Sequence, residues 1–156
     1  MMFKNSKGQG ATEYLVLLAV VLIIALVVIA LLSYFPGIAG DARITQSDSF
    51  WRGEARPIAI TQSLQMATTS TLQMAITNQE SSERTITAMT VNGVGTLTGA
   101  PISLSGGESK AVNITSAPIC GVSGSYYEYN VVITYDSDKL TGAKQTGTKT
   151  LLGKCS

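Results

Sequence analysis

Histidine is absent from the 156 residues. That removes the commonest general base and the commonest metal ligand together. Charge is scarce as well: Asp, Glu, Lys and Arg make up 13% of the chain, and its formal net charge is +1. Such a balance supplies neither the basic field that would attract nucleic acid nor an acidic tail. There is no Gly-rich phosphate loop, and no carboxylate pair stands in a recognisable catalytic setting. The expectation is a protein that is not an enzyme and has no cofactor. Cysteine occurs only at Cys120 and Cys155, and two thiols without histidine make a poor zinc set, so no metal site is expected. What the chain does have is abundant Ser and Thr, which suits a β-rich extracellular surface. Its length allows one modest globular domain and one extra element.

Residues 15–32 form an unbroken apolar run. As a helix the run reaches roughly 27 Å, close to the hydrocarbon thickness of a bilayer. It is apolar all round, which excludes a surface helix of a soluble domain. Lys4 and Lys7 precede it, and the next basic residue is Arg43. The positive-inside bias therefore leaves the N-terminus in the cytoplasm and sends everything after Ser33 outside. A secretory signal would have a shorter core and a small-residue cleavage site after it. A plain signal-anchor helix fits the length. Neither accounts for Lys7-Gly8-Gln9-Gly10-Ala11-Thr12-Glu13-Tyr14, a polar junction with a carboxylate one turn before the run.

That junction resembles the class III signal peptide of archaeal type IV pilins, whose pattern is Q-x-S-x-E-x-x-x-L. Gln9, Glu13 and Leu17 match it, Ala11 stands where Ser is usual, and Lys7-Gly8 precede the Gln as in the family. The resemblance implies cleavage between Gly8 and Gln9 by a membrane prepilin peptidase. Residues 1–8 would be the leader, 9–53 the membrane anchor and filament core, and 54–156 the extracellular head. It also implies export by an assembly platform and a cytoplasmic ATPase, with the subunit held in the membrane before assembly. Cleavage removes Lys4 and Lys7 and creates an α-amino group at Gln9. Glu13, one turn along, can neutralise that amine in its own chain or in a neighbour, which lowers the cost of packing the helix among copies of itself. Without cleavage, Glu13 reads as an interfacial carboxylate favoured by the helix N-terminus.

Pro36 and Gly37 predict a kink or stop just beyond the run. A second helical stretch follows and ends near Gly53, with Trp51 packing it against the head or serving as a binding residue. The remainder reads as short strands around Ile58–Ile60, 72–77, 85–91, 102–104, 112–114, 127–135 and 148–152. Asn92-Gly93 is a strong turn signal. Tyr127, Tyr129, Val131, Ile133 and Tyr135 alternate without a break, the clearest strand in the chain. Leu64-Gln65-Met66-Ala67 recurs as Leu72-Gln73-Met74-Ala75, which one chance match explains better than a repeat. The fold class expected is α+β: a long apolar helix followed by an immunoglobulin-like antiparallel sandwich.

Cys120 and Cys155 both fall on the exported side. A bridge between them would close a loop of about 36 residues, for which chain entropy gives about 4 kcal/mol as an upper figure. Two buried free thiols are the alternative. Asn113-Ile114-Thr115 is the single N-x-Ser/Thr sequon and a candidate glycan acceptor. Asp136 and Asp138 suit a turn better than a calcium cage. The late tyrosines suit packing better than a carbohydrate platform. The leading function is a homo-oligomeric filament subunit serving adhesion. A membrane-tethered β-sandwich that binds a partner without polymerising is the alternative. An archaellin is the third, disfavoured because archaellins generally lack a Glu at the position of Glu13.

Overall fold

The computed structural model describes residues 9–156, and of residues 9 and 34–38 the backbone alone. The chain divides into two units, the first ending at Ala39 and the second covering Gly40–Ser156. Helix α1 spans Gln9–Ser49 and a π-helical turn follows at Phe50–Glu54. Of the kink or stop expected near Pro36, the stop is not found: the helix is continuous through residues 34–38. A proline removes one backbone hydrogen bond, and the turns on either side carry the helix past it. The π turn closes with the Ala55 amide donating to the Phe50 carbonyl at 2.9 Å. Ala55 is extended and Pro57 lies two residues on, so the helix cannot continue.

Ten strands follow: β1 Ile58–Gln65, β2 Leu72–Asn78, β3 Arg84–Val91, β4 Thr96–Leu97, β5 Ile102–Leu104, β6 Ser109–Thr115, β7 Tyr126–Tyr129, β8 Val131–Asp136, β9 Ala143–Thr146 and β10 Leu151–Lys154. They form two four-stranded sheets, β1-β2-β6-β4 and β5-β3-β8-β9, and a two-stranded ladder β10-β7. All of the strand pairs are antiparallel. The fold class is therefore α+β, a long apolar helix followed by antiparallel sheets. β2 and β3 lie in different sheets and β6 returns beside β2, so the two sheets share one core. Ile58, Leu72, Ile76 and Ile114 from one sheet meet Ile86, Met89 and Ile133 from the other, with Trp51 and Tyr129 in the same cluster. Alternation explains this on most strands, since successive side chains point to opposite faces.

The structure also corrects two strand expectations. The single strand read over 127–135 is two, broken at Asn130. The Asn130 amide donates to the Asn92 side chain at 2.7 Å, and its carbonyl accepts from the Asn92 amide at 2.8 Å. This clasp moves the chain from the ladder with β10 to the sheet with β3. The last strand begins at Leu151 and reaches Lys154, later than expected. The turn at Asn92-Gly93 is present: both residues have positive φ, and Val91 and Val94 exchange backbone hydrogen bonds across it.

Candidate functional site

Two features outside the core bear on function: the apolar part of α1 and the surface of the head where the chain enters it. From Gly10 to Ser33 the helix is long and apolar enough to cross a membrane, and none of that stretch is buried within the chain. Leu15, Leu17, Ile23, Leu26 and Ile29 are each about three-fifths exposed. Ser33, where polarity returns, hands its hydroxyl to the Ile29 carbonyl at 2.9 Å, so its polar group is satisfied within the helix. An aliphatic side chain gains about 1.5–3 kcal/mol on full burial. More than a dozen such side chains stand exposed along this stretch, a surface that could anchor in a membrane.

Gly8, expected at the cleavage site, lies outside the described residues, as do the other residues of the expected leader 1–8. Gln9 is the first residue of α1. Glu13 stands four residues on, on the same side of the helix, and is exposed. The geometry thus puts a carboxylate one turn from the backbone nitrogen of Gln9, at the edge of the apolar surface.

In the second unit, residues 40–54 are fastened to the β-structure. Ser47 is buried; its hydroxyl donates to the Thr150 carbonyl at 2.8 Å and accepts from the Leu152 amide at 3.0 Å. Asp41 pairs with Lys154 at 2.7 Å and Arg43 with Glu128 at 3.0 Å. The Lys154 ammonium holds the Asp41 carboxyl below its usual range. The Thr150 hydroxyl, then Arg43, does the same for Glu128. Trp51 is fully buried against Gly147, where a Cβ would run into the indole ring. A binding role for Trp51 is thereby removed, since nothing from solvent reaches it.

Cys120 and Cys155 are joined by a disulfide, with Cα atoms 5.9 Å apart, and both residues are buried. Asn113 is exposed on the outward face of β6, and its carbonyl is taken by the Thr98 amide at 2.9 Å. Asp136 accepts from the Gly142 amide at 2.6 Å, a turn contact, and Asp138 is exposed beyond it. Among the described residues no three His, Cys, Asp or Glu side chains converge as a metal site would need. Tyr127 and Tyr129 stack at 5.1 Å between centroids and are nearly buried, which makes them packing residues. The sequence reading missed the buried amides Gln65, Asn78 and Gln145. A polar residue inside an alternating strand reads as outward-facing, and no local signal marks these three. No protein-family model matches the chain, and no curated protein matches it.

Proposed function

We propose that the chain is the precursor of a structural subunit of an extracellular type IV pilus-like filament, with adhesion as its service. The observation that carries this is the wholly exposed apolar helix Gly10–Ser33, with Glu13 at its start, joined to a disulfide-closed β-head. In the precursor the bilayer covers the helix. Cleavage after Gly8 by a prepilin peptidase frees the α-amino group of Gln9. An assembly platform and its ATPase then draw the helix among copies of itself, where neighbouring apolar helices replace lipid. The head becomes the outer surface; we read it as immunoglobulin-like in general architecture, from the crossing of successive strands between two sheets with one core. Asn113 on its outer face is the candidate glycan acceptor.

The test is Glu13→Gln. On a lone anchor the carboxylate sits at the water interface, and its loss costs about 0.3–1 kcal/mol. In a helix bundle it faces a partly buried ammonium, and breaking such a pair costs roughly 3–5 kcal/mol when burial is complete. The variant should be exported and cleaved, with Gln9 as its first residue, yet give little sheared filament relative to membrane-held mature subunit. Filament at the parent level would remove the charge pair. Mature subunit without filament in the parent strain would favour the tethered binding module.

A further inference from the structure

Three apolar side chains of the head are more exposed than a soluble surface ordinarily leaves them close together: Met66 at 63%, Ile119 at 72% and Val122 at 73%. All three surround the Cys120–Cys155 bridge. The Thr68 amide donates to the Cys120 carbonyl at 3.1 Å, and the Gly124 amide to the Cys155 carbonyl at 2.8 Å. The Ser125 amide donates to the Val122 carbonyl at 3.0 Å. With Cys120 tied inward, Ile119 and Val122 on either side of it are held outward and cannot fold beneath the loop. Met66 follows β1, whose bulge between Ile60 and Gln62 exchanges the faces of its later residues and turns Gln65 inward, so that the next residue is outward. The stretches that carry these side chains, 61–75 and 111–127, contain no Asp, Glu, Lys or Arg, while the third strand end here brings Lys154, paired with Asp41 and lying over the Tyr126 ring. Tyr126, half exposed, borders it; its hydroxyl reaches Asp41 at 3.4 Å, and its ring lies against Gly40. The chain therefore enters the head beside the apolar end.

We infer that this end of the head is a lipid-facing surface: Met66, Ile119 and Val122 dip into the interfacial layer of the bilayer that holds the precursor, with Tyr126 at headgroup level. The inference rests on the membrane-anchored reading above. The membrane-crossing stretch ends at Ser33 and the head begins at Gly40. Seven helical residues rise about 10 Å, so the bilayer surface is within reach of the residues next to Gly40. An apolar cluster bordered by a tyrosine and a lysine matches the chemistry of that layer, into which apolar faces sink roughly 5–10 Å while such amphipathic side chains stay at headgroup level.

The experiment uses the full chain in phosphatidylcholine vesicles with and without acyl chains brominated near the headgroup. Ile119→Trp and Val122→Trp are compared with Leu140→Trp, an equally apolar residue, 65% exposed in the turn between β8 and β9, and with the parent, whose Trp51 is buried. Trp at 119 or 122 should be quenched about twofold more strongly than Trp at 140. Vesicle flotation and a bridged intact mass are recorded for each variant. Flotation of bridged protein with equal quenching at all sites would overturn the surface and leave the anchor standing. Failure of the parent to float would overturn the anchor, and the surface with it.

Discussion

Gln65 shows how much one side chain can hold. It is fully buried, yet each end of its amide is partnered. The nitrogen donates to the Thr69 and Pro118 carbonyls, both at 2.8 Å, and the oxygen accepts from the Tyr129 hydroxyl at 2.8 Å. The amide thus fastens β1 to the loop before the bridge. Tyr129→Phe leaves the amide oxygen buried and without that donor, a loss of about 1–3 kcal/mol, readable as a lower urea midpoint at unchanged slope. The same tyrosines set the alkaline limit. Burial raises the Tyr127 and Tyr129 hydroxyls above their ordinary value. Their contribution is complete below the unfolded value, about 10, and is lost as pH rises through the folded one. A urea series from pH 8 to 11 should show stability falling at the top of the range, with a smaller fall in Tyr127→Phe. An unchanged fall in that variant would exclude Tyr127 as the cause. On the acid side, Asp41, Glu108 and Glu128 have lowered values and so stabilise above the ordinary carboxylate range and lose this as pH falls. They are exposed groups, and the acid limb should be shallow and salt-sensitive.

At the level of the elements, the same four residues behave in opposite ways. In β2, Leu72 and Met74 are buried and Gln73 is exposed; at the end of β1, Gln65 is buried while Leu64 and, just past the strand, Met66 are exposed. Before the bulge Ile58 and Ile60 face inward; the extra residue then exchanges the two faces for the rest of β1. The β10-β7 ladder has its own device. Gly153 lies opposite Tyr127, whose ring covers the glycine and whose hydroxyl meets the Ser63 hydroxyl at 2.9 Å. Gly153→Ala would push a methyl group into that ring, displace Tyr127 and break the Ser63 contact. The expected loss is about 1–3 kcal/mol, measured by thermal or urea unfolding. A variant as stable as the parent would show that the ring moves aside without cost.

For the whole molecule, the boundary that matters for stability lies upstream of the strands. Residues 40–54 carry Ser47 and Trp51 into the head and hold it by two ion pairs. A fragment starting at Gly40 should be soluble and unfold cooperatively with its bridge intact. A fragment starting at Glu54 lacks Trp51 and opens the core at Gly147. It should lose at least the roughly 3–5 kcal/mol typical of deleting a buried large aromatic side chain. Equal unfolding midpoints for the two fragments would mean that the helical stretch only decorates the head.

Much of this was legible in order along the chain. The apolar run, the positive charges before it, the alternation in 72–77, the β-branched residues of 85–91 and the Asn92-Gly93 turn are local properties, written in neighbouring residues. Two cysteines beyond the run leave one intramolecular pairing, so Cys120–Cys155 could be named before any distance was known. The alternation of Tyr127, Tyr129, Val131 and Ile133 was also correct, because both strands across the break keep the same parity. Only the tertiary structure decided that the break exists, since it depends on Asn92, far back in the chain, clasping Asn130. It alone reversed Leu64 and Met66, because one inserted residue has no signature in composition. It alone placed Gln65, Asn78 and Gln145 inside, because a buried amide is stable only where carbonyls and amides from distant segments converge on it.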